Sequence, residues 1–150
     1  MSRIDFYHLQ RQTLEEVLPK LLQKAYAADK RVLLKLPTEK VEEINTLLWT
    51  YNDESFLPHG SKKDGFAEEQ PIWLTDTDNN ANNAQFLFLA CGVQSEVECA
   101  AAFERVFNIF DGNNQTALEQ ARQLWKIYKE AGFEVHYWQQ TSTGSWEQKV

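Results

Sequence analysis

Short apolar runs alternate along this chain with stretches whose apolar residues recur every three or four positions, the pattern of strands followed by helices. Residues 3–9 (Arg-Ile-Asp-Phe-Tyr-His-Leu) predict a first strand. Thr13 then opens an amphipathic helix with Leu14, Val17, Leu18, Leu21, Leu22 and Ala25 on one side. Glu16 stands at capping-box spacing from Thr13, and Pro19 falls inside the helix, tolerable only near the first turn or at a kink. Residues 31–36 (Arg-Val-Leu-Leu-Lys-Leu) are apolar enough for a strand covered on both faces. Thr38 caps a second helix that carries Val41, Ile44, Leu47 and Leu48 and ends at Trp49. Further strands are predicted at residues 71–75, 84–91, 105–110 and 134–138, with a short helix at 96–104. Residues 60–70 and 76–83 read as polar surface loops. Two successive strand–helix units with short connections predict one α/β domain over residues 1–150, a central, mostly parallel sheet flanked by helices. The Ser/Thr/Gly-rich tail from about residue 141, which includes Trp146, is expected to be loosely held.

The strongest helical pattern runs over residues 115–133. It follows Asp111-Gly112-Asn113-Asn114, a turn-and-cap cluster, and stops at Gly132, the residue type that favours the left-handed conformation past a helix end. Ala117, Ala121, Leu124, Tyr128 and Ala131 share one face, expected to be buried. Arg122, Lys126 and Lys129 form a neighbouring stripe, with Leu118 and Trp125 beside it. Two readings fit this stripe. One is a solvated basic face suited to a helix C-terminus, with Trp125 in the core. The other is a docking site for an acidic peptide that ends in an apolar residue.

Charge sharpens the contrast. The chain has 15 Lys and Arg against 22 Asp and Glu, a net charge of −7, which disfavours a protein whose affinity comes from neutralising phosphates. Cys91 and Cys99 are the only cysteines, with no CxxC and no clustered histidines, so neither a disulfide framework nor a zinc site is expected. Cys91 reads as a buried thiol at a strand end, and His8 as a satisfied histidine at another. Asp76 and Asp78 belong to an Asn-rich loop and not to a metal pair. The apolar runs are too short to span a membrane and no leader precedes them, which predicts a cytoplasmic protein with no membrane association. Strand one is followed by Gln10-Arg11-Gln12-Thr13, where a dinucleotide fold needs glycines. No P-loop, Gly-x-Ser-x-Gly or His-Glu-x-x-His occurs, so no cofactor, catalytic residue or metal is predicted.

Leu48-Trp49, Ser55-Phe56-Leu57-Pro58-His59, Phe6-Tyr7 in strand one and Lys30-Arg31-Val32-Leu33 stand in an order that is similar to the chi subunit of bacterial DNA polymerase III holoenzyme. Ala121-Arg122, the Trp125-Lys126 pair and Ala131-Gly132-Phe133 extend the resemblance over nearly the whole chain. It implies a Rossmann-like three-layer fold without nucleotide chemistry, and a noncatalytic clamp-loader accessory subunit in DNA replication. The implied partners are the acidic, Phe-ended C-terminal tail of single-stranded DNA-binding protein and, through a second surface, the psi subunit or a helicase. Carried over to this chain, the tail site falls on Arg122, Trp125 and Lys126, and Lys129 and Leu118 extend it. The second site falls on Trp49, Phe56 and Pro58. Trp49 is then either a core residue or part of an exposed patch. The runner-up is a degenerate nucleotide-binding α/β enzyme; direct strong binding of single strands through Trp and Lys is disfavoured by the acidic balance.

Overall fold

Val32, Leu34 and Leu36 are fully buried on one side of the central sheet and Leu33 is fully buried on the other. A strand buried on both faces is what a sheet sandwiched between helices requires. The computed structural model describes residues 2–10, 12–50, 58–141, 143 and 145–149. Its elements run β1 (Arg3–Leu9), α1 (Leu14–Ala27), β2 (Val32–Lys35), α2 (Thr38–Thr50), β3 (Gly60–Ser61), a 3-10 turn (Ala67–Glu69), β4 (Ile72–Thr75) and β5 (Phe86–Ala90). They continue α3 (Val97–Ala100), β6 (Arg105–Asp111), α4 (Gln115–Glu130), β7 (Glu134–Gln140) and β8 (Trp146–Gln148).

The strands form one sheet in the order β3-β4-β2-β5-β6-β1-β7-β8. All neighbours are parallel except β7 and β8. Helices α1 and α2 pack on one face over Leu34, Leu74, Phe88 and Ile109. Helix α4 covers the other over Ile4, Phe6, Leu87 and Val106. This is the expected three-layer α/β arrangement with a mostly parallel sheet.

Local chemistry sets the ends of α4. The Asn114 side chain accepts a hydrogen bond from the Ala117 N–H at 3.0 Å, satisfying one of the free donors of the first turn. At the other end Gly132 takes φ 94°. Its N–H donates to the Lys129 carbonyl and the Phe133 N–H donates to the Tyr128 carbonyl, both at 3.1 Å. That pair of bonds is a Schellman motif, and Phe133 completes it by packing edge-on against Tyr128 at 4.9 Å. Gly112, in the turn from β6 into α4, is fixed by space: a Cβ there would lie 1.8 Å from His8 Nε2 and 2.8 Å from the Leu9 carbonyl oxygen.

Several expectations need correction. Thr38 is the first residue of α2 and not its cap; its hydroxyl donates to Asp76 at 2.8 Å. Pro19 sits in the second turn of α1, buried, beyond the first-turn position that suits proline best. The short helix at 96–104 contracts to Val97–Ala100. Cys91 is exposed, because the chain leaves β5 through two left-handed residues, Cys91 (φ 58°) and Gly92 (φ 86°), which lift the thiol to the rim. Ala131 is exposed and Ala117 half-buried, so the buried face of α4 is Ala121, Leu124 and Tyr128. Two strands lie where loops were expected. Gly60–Ser61 joins the β4 edge, and Trp146–Gln148 returns antiparallel to β7.

Candidate functional site

Helix α4 lies beside β7, and Trp125 sits where the two meet. Its ring contacts Phe6 of β1 at 5.7 Å and Tyr137 of β7 edge-on at 5.9 Å, leaving it half-buried. Because Arg122 and Lys126 flank Trp125 at positions one turn apart, both cations rim the same depression. The depression measures about 600 Å³; Ala121, Tyr137, Gln139 and Lys149 complete its wall. Lys149 is brought there by the last strand: its N–H donates to the Tyr137 carbonyl at 2.8 Å. Its ammonium lies 3.3 Å from Glu147, both groups well exposed, so this cation is partly neutralised. Among the described residues, Arg122 and Lys126 make no ion pair with any carboxylate.

Arg122, Trp125 and Lys126 are thus brought together, and the other two residues of the α4 stripe are not part of the depression. Leu118 is half-buried against the α4-side core. Lys129 is exposed in the last turn, where a cation suits the helix dipole. Tyr137, Gln139 and Lys149 were missed by sequence reasoning. Of these, only Tyr137 falls on the strand predicted at residues 134–138; Gln139 joins it because the strand runs on to Gln140.

Beneath Tyr137 lies His8, at the end of β1 and buried, its Nδ1 hydrogen-bonded to the Tyr137 hydroxyl. Burial and then the Arg122 charge hold His8 below its ordinary value, with Asp111 pulling the other way, so the ring is neutral at neutral pH. Burial pushes the Tyr137 hydroxyl up, with Arg122 opposing it, so that group stays protonated.

The strand ends, where α/β proteins hold nucleotides, carry a separate depression of about 370 Å³. Its ionisable lining groups are Asp111 and the Cys91 thiol, with no lysine or arginine to meet a phosphate. Asp76 and Asp78 accept hydrogen bonds from Thr38 and from Lys35 and Ser95, respectively. No cluster able to hold a metal ion occurs among the described residues, and no helix among them is long and apolar enough to cross a membrane.

The second predicted surface lies at the opposite edge. Trp49, at the end of α2, is 48% exposed and its ring packs at a tilt against that of His59, centroids 4.1 Å apart; His59 is buried and bonded to the Asn45 carbonyl. Pro58 is half-buried, and Phe56 lies outside the described residues. Phe66, 74% exposed in the loop after β3, is a further apolar ring that sequence reasoning passed over. With β3 and β8 at opposite ends of an eight-stranded sheet, the two surfaces are on the order of 30 Å apart.

Comparison with known proteins decides the family. Residues 1–136 match the family model described as DNA polymerase III chi subunit, HolC. This chain belongs to the DNA polymerase III chi subunit family. A similar protein is the probable DNA polymerase III subunit chi of Rickettsia prowazekii (strain Madrid E), 31% identical over an alignment 155 positions long that takes in 97% of this chain and 91% of that protein. The family is that of an accessory subunit of a DNA-replication polymerase. Tyr137, Gln139 and Lys149 of the depression follow the last residue of the family match.

Proposed function

We propose that this chain is a noncatalytic cytoplasmic adaptor of the clamp loader that binds the acidic C-terminal tail of single-stranded DNA-binding protein in the depression between α4 and β7. The observation that carries this reading is the pairing of Arg122 and Lys126, both without a carboxylate partner among the described residues, with the apolar ring wall of Trp125 and Tyr137. An acidic peptide ending in an apolar residue needs both features: cations for its carboxylates and a cavity for its last side chain. Arginine can take a carboxylate bidentately, and lysine serves as a point charge. With a net charge of −7 the chain as a whole repels such a tail, so attraction comes from the local patch, effective within about 8 Å in physiological salt.

The test is calorimetric titration of a peptide bearing the tail, with and without its final Phe. Burying that side chain stabilises the complex by about 1.5–3 kcal/mol, so its deletion should weaken binding roughly ten- to a hundredfold. Affinity should also fall steadily with salt. Equal binding of the two peptides would contradict the reading.

The second surface, Trp49 with Pro58 and Phe56, is proposed to bind the psi subunit or a helicase. Its support is the exposed Trp49 ring at the edge remote from α4. Trp49→Arg should abolish pulldown of that partner while urea unfolding stays cooperative. Retained pulldown would remove Trp49 from the interface, and lost cooperativity would assign it to the core.

A further inference from the structure

We propose that the Tyr137 hydroxyl, oriented by His8, is a hydrogen-bond donor to the terminal carboxylate of the bound peptide, completing with Arg122 a two-point grip on that group. The proposal rests on the tail-binding reading above and extends it to residues that the sequence stripe on α4 does not include.

His8 decides which way its bond to Tyr137 runs. The ring is 8% exposed and lodges against Gly112, whose missing Cβ makes room for it. Nδ1 pairs with the Tyr137 hydroxyl, and Nε2 has no hydrogen-bond partner among the described residues. A neutral imidazole carries one N–H and one lone pair, which leaves two arrangements. If the proton were on Nε2, Tyr137 would donate to Nδ1 and a buried N–H would be orphaned. If the proton is on Nδ1, it donates to the Tyr137 oxygen and only a lone pair is left unpaired. Orphaned buried N–H groups are the rarer and costlier defect, so the second arrangement prevails. A doubly protonated ring is opposed by burial and by the neighbouring Arg122 charge.

The His8 tautomer sets what Tyr137 offers to the depression. A Tyr137 oxygen that accepts from His8 keeps its own O–H free of that bond. Tyr137 lines the depression together with Arg122, Trp125 and Lys126, and its hydroxyl lies in the electrostatic field of Arg122. An apolar residue seated against Trp125 and Tyr137 carries its α-carboxylate on the same residue, so the anion sits at the edge of the ring wall. There the hydroxyl supplies a charge-assisted O–H···O⁻ bond beside the guanidinium. Side-chain carboxylates further along the peptide fall to Lys126 and Lys149.

The probes are two forms of the same tail peptide, one ending in a free carboxylate and one in a carboxamide, titrated against wild type and Tyr137→Phe. The variant keeps the ring and removes the hydroxyl, which also takes the acceptor from His8 Nδ1; the amide peptide controls for that second loss. It should bind the free-acid peptide about ten- to a hundredfold more weakly than wild type does, and the amide peptide equally well. Equal binding of the acid form by both proteins overturns the proposal and leaves the tail-binding reading intact. An equal loss on acid and amide overturns it too, by assigning the hydroxyl to packing. If wild type binds neither peptide, the reading beneath it falls as well. A long-range ¹H–¹⁵N correlation spectrum of wild type reads the tautomer without any substitution: Nδ1–H is expected at His8, and Nε2–H overturns the proposal.

Discussion

Asp5→Ala is expected to lower the unfolding free energy by about 3 kcal/mol, read from urea unfolding at neutral pH. Asp5 is fully buried in the middle of β1. It accepts hydrogen bonds from Arg105 at 2.7 Å, from Arg3 at 2.9 Å and from the Trp138 indole at 2.9 Å. One carboxylate therefore ties β6 and β7 to the strand between them. Removing it orphans the Trp138 N–H and leaves two guanidinium groups without their shared anion. Both arginines are about a third exposed, so each rehydrates in part, and the loss stays toward the lower end for a broken buried pair. Burial alone would push the Asp5 carboxyl up, but the bonds from Arg105, Arg3 and Trp138 outweigh it and hold it below the ordinary carboxylate range. The folded state therefore keeps the charge at pH values where the unfolded chain takes up a proton. The stabilisation is complete above that ordinary range and is lost as pH falls through the depressed folded value. The gap in stability between wild type and Asp5→Asn should accordingly narrow on acidification from neutral pH. A gap that stays constant down to strongly acidic pH would contradict the assignment.

The features legible in the sequence are those decided within a few residues. The Asn114 cap and the Gly132 stop of α4 are local chemistry, and the alternation of strands and helices foretold the layered sheet. The same locality explains one wall of the depression: Arg122, Trp125 and Lys126 share an α4 stripe because helix geometry puts them there. The opposite wall was not legible. Tyr137 and Lys149 reach the site through the pairing of β1, β7 and β8, and β8 is three residues long after a Thr/Ser/Gly segment with no alternation. Leu118 and Lys129 mark the limit of stripe reasoning. Spacing puts them beside the cations, but packing turns Leu118 toward the core and Lys129 lies outside the depression. Asp5 was passed over because a carboxylate between Ile4 and Phe6 looks like strand alternation until its long-range arginine partner, Arg105, is seen.

Arg122→Ala should weaken binding of the tail peptide roughly ten- to a hundredfold, the loss expected for a hydrogen bond to a charged group. Lys126→Glu should cost more than Lys126→Ala, since reversal adds repulsion of the peptide's carboxylates to the loss of attraction. Both side chains are exposed and make no ion pair among the described residues, so neither substitution breaks a salt bridge among them. Melting temperatures should therefore stay near wild type, which separates a binding effect from a folding one. Added salt should shrink the difference between wild type and Lys126→Glu, because screening weakens both the attraction and the repulsion. The most direct measurement is one calorimetric series with the intact tail peptide against wild type, Arg122→Ala and Lys126→Glu at a single ionic strength. Affinities of both variants well below that of wild type, with all three proteins melting together, are the predicted result; three equal affinities would contradict the depression between α4 and β7 as the tail site.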